Sequence, residues 1–162
     1  MTRREFLIAS GSGLLAGAVG CTSRKQRRSP SLTIIDCHTH FFDPSRPEGV
    51  PWPGKAETQL YRTVGPADYL AQPVPTPVTG TVVVEASPWV EDNQWILDLA
   101  AKHNFIVGFC GNLNPSDDSF TKNLDRFAAN PLYRGIRISG GGLAQIIRDR
   151  GLIAKLGRLA DL

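Results

Sequence analysis

Four short segments rich in Val, Ile and Phe, at residues 32–38, 81–85, 105–110 and 135–139, alternate with stretches of helical periodicity. That alternation constrains the fold most. A strand followed by a helix and another strand is a βα unit, and repeated units build a parallel sheet. Trp95, Ile96, Leu99 and His103 fall at helical spacing, behind Glu91 and Asp92, whose charge suits a helix amino-terminus. Phe120, Leu124, Phe127 and Ala128 recur at i, i+4, i+7 and i+8, with Ser116 or Asp117 as the expected N-cap. Ile146, Ile147, Ile153, Leu156 and Leu159 mark a last helical stretch with a break at Gly151. The expected class is α/β.

The first strand segment closes on Asp36-Cys37-His38-Thr39-His40. With a two-residue period, Leu32, Ile34, Asp36, His38 and His40 share one side, and two imidazoles stand at its far end. Paired imidazoles at a strand's carboxyl end begin a metal or general-base site. Asp36, deeper on that side, is placed to orient His38. Cys37 alternates away and is expected to pack under a helix, as is Cys110, the usual fate of a free cysteine. Together with Cys21 they form no CxxC pair and no disulfide framework. His103, late in its helical run, reads as a carboxyl-terminal cap.

The connection from 41 to 79 differs from the others. It holds Pro44, Pro47, Pro51, Pro53, Pro66, Pro73, Pro75 and Pro77, along with Trp52, Tyr61 and Tyr69. A connection this long is uncommon in a compact domain unless it has a function. It leaves the carboxyl end of the first strand, where α/β sheets bind ligands, so it is expected to be a lid or pocket wall. Trp52 is a candidate substrate contact within it. A short helix at 66–71 is expected, with proline in its first turn.

The formal net charge of +3 is unevenly spread. Residues 1–30 carry six basic side chains against Glu5, a net of +5, so residues 31–162 carry 12 basic and 14 acidic side chains, a net of −2. A slightly acidic folded part argues against nucleic-acid binding. The start, Thr2-Arg3-Arg4-Glu5-Phe6-Leu7, runs into an apolar segment too short for a spanning helix of ~20 residues. It resembles a twin-arginine export signal. Ala16-Gly17-Ala18 offers one cleavage site. Ala18-Val19-Gly20-Cys21 resembles a lipobox, in which Cys21 would take a lipid anchor. The organisation read from this is a signal at 1–21, a basic tether at 22–30 and a folded part at 31–162. The expected location is the periplasm or, with the anchor, the membrane surface.

Five segments, in order, resemble the amidohydrolase-related family of (β/α)8 TIM-barrel hydrolases, and within it the lactonase branch. They are Asp36-Cys37-His38-Thr39-His40-Phe41-Phe42-Asp43-Pro44, Thr81-Val82-Val83-Val84-Glu85-Ala86, Asn93-Gln94-Trp95-Ile96-Leu97-Asp98-Leu99-Ala100, Ile106-Val107-Gly108-Phe109-Cys110-Gly111-Asn112-Leu113 and Tyr133-Arg134-Gly135-Ile136-Arg137. The resemblance implies that His38 and His40 face the barrel interior, as metal ligands or as catalytic histidines that polarise a carbonyl. Arg137 would pair with a substrate carboxylate, a role suited to its planar fork. Glu85 would contact substrate or orient a histidine; its alternative is a structural ion pair. The implied cofactor is a divalent metal, zinc first, or none. The implied substrate is a small lactone or amide bearing a carboxylate. A related branch with the same histidines implies decarboxylation instead.

A (β/α)8 barrel takes about 250 residues, whereas residues 31–162 account for about four βα units. In the family, further histidines and a general-base aspartate lie on later strands. The chain is therefore expected to be the amino-terminal half of a hydrolase, inactive by itself. The alternatives are a half barrel that closes as a homo-oligomer, or a non-enzymatic binding module.

Overall fold

The computed structural model describes residues 32–161, so the expected signal, tether and Cys21 anchor lie outside the described residues. The elements run in the order β1 (Ile35–Thr39), α1 (Pro66–Leu70), β2 (Gly80–Val84), α2 (Val90–Ala100), β3 (Ile106–Gly111), α3 (Phe120–Ala128), β4 (Tyr133–Ile136), α4 (Gly140–Ile146), α5 (Arg150–Gly157) and a 3₁₀ turn at Arg158–Asp161. The sheet is parallel throughout, in the order β1-β2-β3-β4. Strands that neighbour one another in chain order are the arrangement of a barrel wall; a doubly wound sheet reverses direction part-way. The α/β expectation holds, with four consecutive βα units of barrel type.

One face of the sheet carries the core. Ile96, Leu97 and Ala100 form the buried stripe of α2, and Phe120, Leu124 and Phe127 that of α3. Both stripes pack with Val83 of β2, Phe109 of β3 and Tyr133 of β4. Phe109, Phe120 and Phe127 are the largest fully buried side chains, and burial of each contributes about 1.5–3 kcal/mol. These large, fully sheathed rings fix which face of each helix meets the sheet.

Several boundaries differ from expectation. The α3 N-cap is Ser119, because Asn114, Ser116 and Asp117 are committed to a turn: Asn114 Oδ1 accepts from Ser116 N–H and its Nδ2 donates to Asp117. The last helical stretch is two helices, α4 and α5. The break precedes Gly151, since Asp149 caps α5 by accepting from the N–H groups of Gly151 and Leu152. Strand β4 begins two residues early, at Tyr133, which packs against Phe109 with ring centroids 5.5 Å apart.

The more consequential correction lies in β1. Asp36 pairs with Thr81 but Thr39 pairs with Val83, so three steps along β1 match two along β2. This bulge breaks the alternation. Asp36 and Thr39 both turn to the helix side: Thr39 Oγ1 meets Thr81 Oγ1 at 2.8 Å, and Asp36 Oδ2 accepts from the Tyr69 hydroxyl of α1 at 2.7 Å. Asp36 therefore does not share a face with the imidazoles, and Cys37 is exposed rather than packed under a helix. Cys110 is half-buried, and burial pushes its thiol up.

Candidate active site

Residues at the carboxyl ends of four parallel strands converge by construction, because every strand points the same way. Past the bulge, β1 delivers His38 and His40 there. Their rings lie nearly perpendicular, with centroids 5.0 Å apart. His38 is exposed and His40 half-buried. His40 Nδ1 lies 2.7 Å from the Val84 carbonyl at the end of β2. A carbonyl only accepts, so Nδ1 carries the hydrogen and Nε2 keeps its lone pair. Burial holds His40 below the ordinary imidazole value, more than the Val84 contact raises it; nearby His38 and Arg137 push the same way as burial.

Arg137 follows β4 directly. Its backbone N–H donates to Gly111 O at 2.6 Å, continuing the ladder one residue past the strand. Its guanidinium reaches back across β3, with Nη1 3.4 Å from the Glu85 carbonyl. Arg137 also lines a cavity of about 350 Å³ between the β2, β3 and β4 ends, together with Asn112, Asn114, Ser139 and Gln145. Trp52 of the long connection stands edge-on to His40 at 6.0 Å and to Phe42 at 5.1 Å, forming one wall beside the imidazoles. The connection is anchored: Phe42 and Val64 exchange backbone hydrogen bonds of 3.0 and 2.9 Å.

Glu85 is placed differently. It is 3% exposed and sits beneath the connection, with Arg46 and Asp92 as its charged neighbours. Its Oε1 accepts from Ser87 N–H at 2.7 Å. Burial raises its pKa to about 7, and Asp92 adds to the rise. His40, Arg137 and Trp52 thus come together, while Glu85 and Asp36 each lie in a separate environment. His103 precedes β3, its carbonyl accepting from Ile106 N–H, at the opposite ends of the strands.

Sequence reasoning missed a polar clamp that shapes the cavity. Asn93 Oδ1 accepts from Asn112 N–H at 2.9 Å, and its Nδ2 donates to the carbonyls of Val90 and Asn112. Asn112 Nδ2 in turn donates to Ser87 O at 2.8 Å, tying the β2 and β3 ends together. The signal was present: Asn93 lies on the same stripe as Ile96, Leu97 and Ala100, and a buried amide on an apolar stripe needs partners. Arg46 and Asp92 were missed as well.

A catalytic zinc ordinarily takes three protein ligands. Among the described residues no group of three or more His, Cys, Asp or Glu side chains gathers in a way that could hold a metal ion. His38 and His40 supply two imidazoles, which is part of such a site and not the whole.

The sequence profile of the Amidohydrolase family matches residues 35–144. An L-fucono-1,5-lactonase of Burkholderia ambifaria is 31% identical over 103 residues, covering 64% of this chain and 35% of that enzyme. An amidohydrolase of Burkholderia multivorans solved with bound zinc superposes with a TM-score of 0.54 at 19% identity. Its structure with bound HEPES gives 0.57 at 18%. Each match covers 76% of this chain and 44% of the other, and at this identity the likeness is one of fold. The chain spans about a third of the length of the curated relative and under half of the solved one.

Proposed function

The chain belongs to the amidohydrolase family, and we propose that it carries the first half of a site that hydrolyses a lactone bearing a carboxylate. The observation that supports this reading is the convergence of His40 and Arg137 at the carboxyl ends of β1 and β4.

Arg137 offers a fork of N–H donors to the substrate carboxylate and fixes its orientation. His40, with its hydrogen committed to Val84, presents Nε2 as an acceptor that can hold the attacking water beside the lactone carbonyl. Trp52 limits solvent on that side and offers an apolar surface to the ring. When bound, a divalent metal would supply Lewis-acid polarisation of the carbonyl. His38 and His40 would hold it, His40 through the same Nε2, so that lone pair serves the water only where no metal is bound. The remaining ligands, and the carboxylate that takes the water's proton, would have to come from outside the four βα units described. The twin-arginine-like start supports export to the periplasm as part of the same reading.

A chimera tests it. Residues 32–144 replace the corresponding segment of the L-fucono-1,5-lactonase relative, and hydrolysis of L-fucono-1,5-lactone is followed by acid release. The chimera is expected to hydrolyse the lactone, with His40→Ala lowering kcat/KM by about 10²-fold, the scale of a lost acid–base group. L-fucono-1,5-lactone carries no free carboxylate, so the Arg137 contact is read on a lactone that bears one, where Arg137→Gln is expected to raise KM. A folded chimera without activity, beside an active parent, would sink the proposal.

A further inference from the structure

The connection between β1 and α1 is pinned to α2 by charged groups that the proposed hydrolysis does not use. Arg46 Nη2 forms an ion pair with Asp92 Oδ1 at 2.9 Å and donates to Gly49 O at 3.1 Å. Its side chain is 8% exposed and that of Asp92 7%. The Arg46 guanidinium lies 4.6 Å from the ring centroid of Trp95. Two polar atoms in this group are buried without a partner among the described residues: Arg46 Nε and Glu85 Oε2. Both residues line a cavity of about 10 Å³, closed by Phe41, Phe42, Trp52 and Trp95. That volume suits one water molecule, and a water there has a donor on one side and an acceptor on the other.

We propose that this cavity is a site for one buried water bridging Arg46 Nε and Glu85 Oε2, and that the bridged Arg46–Asp92–Glu85 cluster is a latch holding the β1–α1 connection so that Trp52 walls the histidine pair. The water accepts from Nε–H. Because Oε1 is committed to Ser87 N–H, a protonated Glu85 donates its Oε2 hydrogen to the water and an ionised Glu85 accepts from it, so Oε2 is satisfied in either state. Glu85 enters the latch from the end of β2, Arg46 from the connection and Asp92 from α2, so three separate segments meet at one point. Trp52 links the latch to the site, since it lines the cavity and stands 6.0 Å from His40.

The charge balance gives the latch a direction. Arg46 and Asp92 neutralise each other, so a protonated Glu85 leaves the cluster neutral. Ionised Glu85 adds one buried negative charge that Arg46 already shares with Asp92. The other charged groups nearby among the described residues include Glu48, 3.9 Å from Arg46 and exposed, Asp43, a second carboxylate drawn on by Arg46, and Arg137, which reaches the Glu85 backbone carbonyl. A buried net charge draws in solvent, so the latch loosens as Glu85 loses its proton. Burial sets that loss near pH 7.

The tests are physical and need no activity, so their outcome is separable from that of the hydrolase reading. Acrylamide quenching of Trp52, already 36% exposed in the latched state, taken in the full chain as wild type minus Trp52→Phe, is expected to rise from that baseline with increasing pH, with a midpoint near 7. In Glu85→Gln, neutral at every pH, it holds its baseline. A flat wild-type profile, or an unchanged rise in Glu85→Gln, overturns the latch. Should Glu85→Gln fail to fold, infrared spectroscopy of the wild type decides. A protonated-carboxyl C=O band lost near pH 7 supports the latch, and no band titrating above the ordinary carboxylate range overturns it. A crystal structure with ordered solvent shows one water on both atoms. Direct contact between Nε and Oε2, or an empty cavity, overturns the water site.

Discussion

The Tyr69 hydroxyl donates to Asp36 Oδ2 across 2.7 Å, joining α1 to the strand that bears the imidazoles. Asp36 Oδ1 accepts from the backbone N–H of His38 at 3.0 Å, so one carboxylate holds both the helix and the bulge. Burial and the Asp36 carboxylate push the Tyr69 phenol up to about 12, which keeps it a donor at any ordinary pH. Tyr69→Phe removes a hydrogen bond to a charged group at a partly exposed site. It is expected to cost about 1–1.5 kcal/mol, at the lower end for such bonds. The measurement is the urea midpoint at unchanged slope. A shift absent in Tyr69→Phe but present in Asp36→Asn would mean that Asp36 works through the bulge alone.

Two ion pairs on α2 have similar lengths and opposite burial. Arg46 and Asp92 are both over nine-tenths buried at 2.9 Å, whereas Arg126 holds Glu91 through two hydrogen bonds of 2.8 and 2.9 Å in solvent. Asp92→Ala strands the Arg46 charge in the interior and is expected to cost about 3–5 kcal/mol. Arg126→Ala is expected to cost about 0–1 kcal/mol despite the fork geometry. Denaturant unfolding of the two variants side by side decides. Equal losses would show that water reaches Arg46.

The helices and strands were legible because their apolar periods are strong: Phe120, Leu124 and Phe127 mark α3 in the sequence and in the core alike. The convergence of His40 with Arg137 was legible only through family resemblance, since 97 residues separate them. The bulge was not. A period-two reading assumes equal steps in paired strands, and nothing local to Asp36–Thr39 announces the extra residue. The fate of Glu85 was hidden for a related reason. At the end of β2 its face is set by what the long connection places over it, and Arg46 gives no periodic signal there.

Glu85 gives stability a pH dependence of definite sign. Its folded pKa of about 7 lies above the ordinary 4.5, so the folded state holds an extra proton between those values. The contribution is full below pH 4.5 and is lost as pH rises through 7. At ~1.36 kcal/mol per pH unit, that window amounts to about 3 kcal/mol. Glu85→Gln is expected to flatten the stability profile across it. Denaturant midpoints taken at intervals from acid to mildly alkaline pH supply the check, and an equally steep decline in the variant would assign the dependence to other groups.

Gly111 at the end of β3 has no room for a side chain. A Cβ there would run into Asn93 Oδ1 and the Tyr133 ring. Gly111→Ala is therefore expected to displace the Asn93–Asn112 clamp and cost about 1–3 kcal/mol, the range for overpacking. The backbone N–H of Asn112 should lose hydrogen-exchange protection in the variant. Wild-type protection at Asn112 in a destabilised Gly111→Ala would place the strain elsewhere.

Zinc content reports on how much of a metal site the four βα units hold. His38 and His40 are two ligands with mutually perpendicular rings, and His40 keeps only Nε2 for a metal because Nδ1 is bound to Val84. Two imidazoles fall short of the three protein ligands of a catalytic zinc. After dialysis against buffer with trace zinc, the full chain is expected to retain well under one zinc per molecule, with His38→Ala lowering the remainder. Tight one-to-one binding would show that a third ligand reaches the imidazoles, and a crystal structure of that complex would identify it.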